Sequence, residues 1–303
     1  MLLFLFSILC FQLLFIGLSS TLLFLTSAGW GHGRLYFERM RVSLIISTYN
    51  RPETLRVCLD SVFHQTYKPD EIIIGDDGST EDTKILIDVF KSHSPIPIIH
   101  LWHEDKGFRL AMMRNKCMAR AIGEYIIEID GDVFLHPRFV EDHVSFARKG
   151  HYLKGGRVNL GRRLTECICE EGIYRPIKPW TRGIESKPEN AIHFLMLSLF
   201  LSERYRKRRS PALGCNISFF KEDILRINGY DEFFEGWGGE DEDLGNRLLN
   251  SGCKKRYLKF SGIVYHLWHE DKFMYNLERN FTYKDERNRR NAIFCENGID
   301  KYL

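Results

Sequence analysis

The sequence predicts an α/β fold with a mostly parallel central sheet flanked by helices. Short β-branched apolar runs alternate with helix-period segments over residues 42–149. That alternation implies crossover connections, and crossovers make neighbouring strands parallel. Three of the first four predicted strands end in polar clusters: Ser47-Thr48-Tyr49-Asn50, Asp76-Asp77 and Asp130-Gly131-Asp132. One such cluster alone reads as a helix cap or an Asx-turn. Three on one sheet edge point to a site, because ligands of these sheets bind at the carboxyl ends of the strands.

Residues 42–48 are a β-branched apolar run, the pattern of a strand buried on both faces. Asn50-Arg51-Pro52 breaks it. A helix over 53–65 follows, with Leu55, Cys58, Leu59, Val62 and Phe63 at helical spacing. The second strand is 71–75 and the second helix 81–91. The third strand is 96–102, and Gly107 introduces a helix over 108–122. The fourth strand is 124–129, and the helix over 137–149 has Pro137 in its first turn. Residues 160–210 show no clear period. Their basic run, Arg204-Tyr205-Arg206-Lys207-Arg208-Arg209, reads first as a solvated loop and second as a contact for anionic lipid or a phosphorylated acceptor. Strands at 212–220, 255–260 and 263–266 and helices at 221–227 and 243–250 complete the core. The charged tail, 270–303, reads as helical and superficial.

At 303 residues the chain can bury one large core or two small ones. A net charge of +3 with 27% charged residues argues against a nucleic-acid binder. The eight cysteines lack paired metal spacing, and Cys167 and Cys169 are too close for a redox pair, so they read as reduced thiols. Residues 1–33 contain no Asp, Glu, Lys or Arg, and 1–26 are long enough to cross ~30 Å of hydrocarbon. Arg34, Arg39 and Arg41 follow the apolar run, which predicts a single anchor with the rest of the chain on the cytoplasmic face of a membrane. A signal peptide is the rival, although the start Met1-Leu2-Leu3-Phe4 lacks its basic residue. A third reading starts translation at Met40, directly before the first strand. Residues 1–39 would then be a mis-assigned extension and the protein cytoplasmic.

Residues 236–244, Gly-Trp-Gly-Gly-Glu-Asp-Glu-Asp-Leu, combine three glycines, a tryptophan and four acids. Acids at a helix N-terminus suit the helix dipole. That does not explain Trp237, so this stretch reads as the acceptor side of an active site. A seven-residue string, His-Leu-Trp-His-Glu-Asp-Lys, occurs at 100–106 and again at 266–272 with unrelated flanks. At most one copy is expected to hold metal.

These motifs, in this order, resemble a family 2 glycosyltransferase of GT-A (nucleotide-diphospho-sugar transferase) fold. The 236–244 stretch resembles the C-terminal acceptor motif of the β-1,4-galactosyltransferases and the bacterial chondroitin-polymerase type. The resemblance covers about 42–269. It implies a metal-dependent inverting transferase that moves a hexose or N-acetylhexosamine from a nucleotide sugar, most simply a UDP-sugar, to a glycan or lipid-linked acceptor in polysaccharide synthesis. Asp132 would be a metal ligand for Mn²⁺ or Mg²⁺, with one or both of His266 and His269. On a straight strand those two would face opposite sides, so both can bind only if the strand ends near His266. Asp130 would meet ribose or the water around the metal, and Asp77 the uracil ring. Ser47, Thr48 and Tyr49 would line the nucleoside, and Arg51 and Arg114 the nucleotide or its diphosphate. Asp241 would be the catalytic base, Glu240 a sugar contact and Trp237 a stacking platform, while Asp243 would only cap its helix. The first histidine pair, His100 and His103, would be structural or near the nucleotide.

The corresponding division is an apolar segment 1–39, a nucleotide-sugar half 40–159, an insert 160–210, an acceptor half 211–270 and a tail 271–303. A non-catalytic nucleotide-sugar or carbohydrate-binding subunit is the alternative, which Asp132, Asp241 and His269 argue against, because binding alone needs no base.

Overall fold

The computed structural model describes residues 39–172, 177–202, 204, 212–270 and 275–303. The apolar segment 1–26 and most of the basic run 204–209 lie outside them. Residues Met40–Leu303 form one unit. Its elements begin with β1 (Val42–Thr48), α1 (Pro52–Phe63), β2 (Glu71–Asp76), α2 (Glu81–His93), β3 (Ile98–Trp102), α3 (Leu110–Arg120) and β4 (Tyr125–Asp130). They continue with β5 (Val133–Leu135), α4 (Phe139–Phe146), β6 (His151–Gly155), β7 (Arg157–Leu160), α5 (Arg162–Glu171), β8 (Ile184–Ser186) and α6 (Leu195–Ser202). Then come β9 (Ile217–Phe220), α7 (Lys221–Arg226), α8 (Glu240–Asn250), β10 (Lys254–Leu258), β11 (Val264–His266) and α9 (Leu277–Arg289).

The main sheet has the order β10-β6-β9-β4-β1-β2-β3. Only β9 runs against its neighbours; the other adjacent pairs are parallel. The central strands are buried on both faces, as their unbroken apolar runs require. Leu44 and Ile46 face a core with Leu55 and Leu59 of α1, while Ile45 faces Met113 and Met118 of α3 and Leu244 and Leu248 of α8. The same period of two sorts β4. Tyr125, Ile127 and Ile129 face the α1 side. Glu128 and Asp130 therefore share the other face with Ile126, and there they meet Arg114 of α3.

A second sheet, β5-β11-β7-β8, stands at the carboxyl edge of the first. Its pairing sets up the metal-ligand candidates. His266 lies opposite Val133 in the antiparallel β11–β5 pair, and Leu267 N donates to Asp132 O at 2.9 Å.

Three expectations are corrected. The predicted strand at 212–220 is a strand only over Ile217–Phe220. The segment before it is a turn in which Asn216 Nδ2 donates to Gly156 O and Gly262 O, both at 2.8 Å, tying three segments together. The helix predicted from 243 begins at Glu240, because Gly239 at φ 97° serves as its N-cap and all four acids enter the first turn. Asp243 does more than cap. It is buried and pairs with Arg247 Nε at 2.6 Å and Arg287 Nε at 3.0 Å, so with Glu242–Lys284 at 2.8 Å it fastens the tail helix α9 onto α8. The patternless middle contains α5, β8 and α6, short elements whose partners are distant in sequence.

Candidate active site

Every residue that the sequence singles out for chemistry lines one cavity of about 470 Å³ at the carboxyl edge of the main sheet. Ser47, Thr48, Tyr49 and Arg51 come from the end of β1 and the turn after it, Asp77 from the turn after β2, and Asp130 and Asp132 from the end of β4. Trp237, Glu240 and Asp241 close the opposite side, with His266 and His269 beside them. Trp237 is 44% exposed, an open aromatic face in a stretch where Gly236, Gly238 and Gly239 all have φ between 77° and 97°. A side chain at Gly236 would collide with Tyr275, whose hydroxyl also accepts from Phe108 N at 2.5 Å.

β11 ends at His266, so the chain turns and both imidazoles reach one carboxylate. His269 Nε2 is 3.1 Å from Asp132 Oδ2, and His266 Nε2 is 3.7 Å from Asp132 Oδ1. Arg51 Nη1 donates to Asp132 Oδ2 at 3.2 Å, so it is turned to this cluster. Burial alone would raise the Asp132 pKa, but the two imidazoles and Arg51 hold it below the usual carboxylate range. Burial brings His266 down to about 4. Burial also works against charge on His269, and its bond to Asp132 more than offsets this, leaving it raised.

A divalent ion fits this cluster. One ligand atom from each of Asp132, His266 and His269 lies within 4.8 Å of the others. Asp132 Oδ1 is buried and accepts no hydrogen bond among the described residues. A carboxylate with two imidazoles is a donor set that suits Mn²⁺ and also Mg²⁺ less strongly.

Arg114, expected at the nucleotide or its diphosphate, lines the cavity. It is 1% exposed and enclosed by acids. Its Nε is 3.0 Å from Glu128 Oε1, Nη2 donates to Asp130 Oδ1 at 3.0 Å, and Nη1 donates to Asp241 Oδ1 at 2.7 Å. Glu240 Oε1 lies 3.9 Å from Nη1. Burial disfavours charge on Arg114, but Tyr230, Glu128, Asp241 and Asp130 around it raise its pKa well above the usual value. Gly214 is required here, since a Cβ would sit 2.2 Å from Arg114 Nη2. Gly214 N also donates to Asp241 Oδ2 at 2.7 Å, so both oxygens of Asp241 are oriented while its side chain stays 24% exposed to the cavity.

The carboxyls around Arg114 differ. Burial pushes Glu128 up to about 7, Asp130 up to about 6 and Glu240, next to Asp241, up to about 8. Glu240 Oε2 is buried and has no partner among the described residues, which leaves it available to a bound hydroxyl.

Asp77 is held on both oxygens: His103 Nε2 lies 2.5 Å from Oδ1, and Arg109 N donates to Oδ2 at 2.8 Å. His100 Nε2 pairs with Asp76 Oδ2 at 3.0 Å. The first histidine pair thus supports the two aspartates at the end of β2. Sequence reasoning missed Glu128 and Tyr230, whose hydroxyl donates to Glu128 Oε1 at 2.7 Å. A carboxylate inside the apolar run Tyr-Ile-Ile-Glu-Ile-Asp was the available signal, because a buried charge needs a buried partner.

Residues 43–197 match the family model described as glycosyl transferase family 2, and 196–270 match that described as the N-terminal domain of galactosyltransferase. The chain is 29% identical over 230 residues to validoxylamine A glucosyltransferase of Streptomyces hygroscopicus subsp. limoneus, covering 70% of this chain and 48% of that protein. It is 26% identical over 242 residues to chondroitin synthase of Pasteurella multocida, covering 76% and 25%. It is 29% identical over 245 residues to the putative glycosyltransferase EpsE of Bacillus subtilis, covering 74% and 86%. The chain therefore spans half or less of the first two relatives. Among solved structures, a mannosyltransferase from Pyrobaculum calidifontis in complex with GDP-Man and Mn²⁺ superposes with TM-score 0.57 at 16% identity, over 88% of this chain and 68% of that one. TarS of S. aureus in complex with UDP gives 0.51 at 18%, over 75% and 60%. At such identities the likeness is one of fold, and that fold is GT-A. With just over half of its residues inside the family 2 model, this chain belongs to glycosyltransferase family 2.

Proposed function

We propose that this protein transfers a hexose or N-acetylhexosamine from a UDP-sugar to a hydroxyl of a glycan or lipid-linked acceptor, with inversion, in the assembly of a polysaccharide. One observation carries the reading: a solvent-facing carboxylate, Asp241, and the Asp132–His266–His269 cluster line the same cavity. The names of the relatives, a glucosyltransferase and a chondroitin synthase, support it, as do fold neighbours solved with UDP or with GDP-Man and Mn²⁺.

Asp241 takes the proton of the acceptor hydroxyl as that oxygen bonds to the anomeric carbon. The bond from that carbon to the phosphate oxygen breaks on the opposite side, and UDP leaves with the bonding pair. Arg114 and Gly214 N hold the base at fixed orientation, so little reorganisation is needed when the acceptor arrives. Asp132, His266 and His269 would hold a divalent ion, Mn²⁺ or Mg²⁺. When bound, such an ion offers Lewis-acid stabilisation of the diphosphate charge. Asp77 is set to accept from the uracil ring, Ser47, Thr48 and Tyr49 line the nucleoside, and Trp237 covers a sugar face. Asp130 borders the ribose side. The setting we infer is the cytoplasmic face of a membrane, which the apolar run 1–26 and the cations after it support.

A panel of UDP-sugars, each incubated with Mn²⁺ and then with acceptor oligosaccharides, tests this. One sugar should give metal-dependent UDP release that rises with acceptor. Tight UDP-sugar binding with no release for any donor would point instead to a binding subunit.

A further inference from the structure

Arg157, at the start of β7, lines the active-site cavity. Strand alternation puts it there. Val158 and Leu160 point into a core shared with Tyr265 of β11, so Arg157 takes the opposite face. β7 runs parallel to β11 with Tyr265 opposite Val158, and His266 therefore shares the face of Arg157. Two asparagines fix the backbone here. Asn216 Nδ2 donates to Gly156 O at 2.8 Å, and Asn190 Nδ2 donates to Arg157 O at 2.9 Å.

The charge of Arg157 pairs with no acid. Arg51 donates to Asp132, and Arg114 is enclosed by Glu128, Asp130 and Asp241. Arg157 makes no ion pair among the described residues. Its Nη1 stands 4.0 Å from the Cys215 thiol, and its Nε is buried with no hydrogen-bond partner among those residues. Burial pushes that thiol up to about 12, so it stays neutral and supplies no counter-charge. The charges of Asp130, Asp132 and Asp241 also reach the thiol, which sets Arg157 beside the metal-ligand candidates and the base. A guanidinium does not deprotonate, so it cannot relieve a buried, unpaired donor by losing a proton. A bound anion relieves it.

We propose that Arg157 binds an oxyanion on the sugar side of the donor: the distal phosphate of the diphosphate, or a carboxylate on the transferred sugar. This role rests on the UDP-sugar reading of the same cavity. The planar fork of arginine suits either group, since phosphate and carboxylate both accept paired hydrogen bonds. With the distal phosphate as its partner, Arg157 steadies the charge left on UDP when the bond from the anomeric carbon breaks.

Calorimetric titration of wild type, Arg157→Gln and Arg157→Lys with UMP, UDP, UDP-glucose and UDP-glucuronic acid, in Mn²⁺, tests this. A loss in Arg157→Gln shared by UDP and both donors identifies the phosphate. A loss confined to UDP-glucuronic acid identifies the sugar carboxylate. Either loss should be on the order of tenfold to a hundredfold, with Arg157→Lys recovering part of it and UMP affinity unchanged. Equal affinities of wild type and Arg157→Gln for all four overturn the role. So does a loss that extends equally to UMP, which marks general damage to the cavity. Failure of the UDP-sugar reading looks different: wild type itself would bind none of the four. Inorganic pyrophosphate is then titrated, and equal binding, or none, by wild type and Arg157→Gln overturns the role of Arg157 as well.

Discussion

Arg114 Nη1 and Asp241 Oδ1 meet at 2.7 Å across 127 residues of sequence. The guanidinium belongs to α3, after the third strand, and the carboxylate to the first turn of the acidic helix α8. The same guanidinium also holds Asp130 and faces Glu128, so it joins the two sides of the cavity. Arg114→Met would leave these acids buried and unpaired, and should cost about 3–5 kcal/mol. Urea denaturation of the purified variant checks this. Stability within a few tenths of wild type would mean the acids find other partners.

Asp241→Asn keeps the shape but, with a single acceptor oxygen, only one of the contacts from Arg114 and Gly214 N, and it cannot accept the acceptor proton. Transfer should fall by about 10²–10⁴-fold, the usual worth of a general base. Calorimetry should find UDP binding unchanged. Near-normal turnover would remove Asp241 from the role of base.

Asp132→Ala should abolish the dependence of UDP binding on Mn²⁺, because the carboxylate is the one group that both imidazoles face. His266→Ala and His269→Ala should each weaken that dependence. If only one of them does, the other histidine is a support for Asp132. An unaltered metal titration in Asp132→Ala would refute the cluster as the metal site.

Burial raises Glu240 from an ordinary 4.5 to about 8, and Glu128 to about 7. Between about pH 4.5 and these values the folded state holds protons on these two acids that the unfolded chain has released, so their contribution to stability falls as pH rises through this window, against the opposite contribution of His266, His136 and His143, which burial brings down to about 4. The part due to Glu240 is fully present below about 4.5 and gone above about 8. Glu240→Gln, which cannot ionise, lacks this contribution, so its urea midpoint should rise relative to that of the wild type between pH 5 and pH 8. A difference that does not change with pH would place the titration elsewhere.

The strands of the nucleotide half were legible because each carries its own local pattern. β1 spans the residues its apolar run marks, and Asp77 after β2 and Asp130 and Asp132 at the end of β4 face the cavity as strand-end acids should, while Asp76 is buried against His100. The helix expected from 243 starts three residues earlier, because the glycines at 236, 238 and 239, all at positive φ, carry no period that marks where helical φ begins. Arg114 was legible as a site residue and not as a caged one. Its partners Glu128 and Asp241 lie 14 and 127 residues away, and no periodicity encodes which acid a buried arginine will meet. The middle section stayed opaque for a related reason. α6 is apolar on nearly every side, with Leu195 packed on the core while Met196 and Phe200 are exposed, so its apolar residues give no guide to which face is inside.

The two copies of His-Leu-Trp-His have the same placement, each straddling the end of a strand beside aspartates. They differ in stoichiometry. At the end of β2 two imidazoles find two aspartates, one each, and every pair is closed. At Asp132 two imidazoles compete for a single carboxylate, and one of its oxygens has no hydrogen bond among the described residues. Identical words in the chain thus spell a finished contact in one place and surplus lone pairs in the other. A search by motif would flag both strings, and counting acids per imidazole tells them apart.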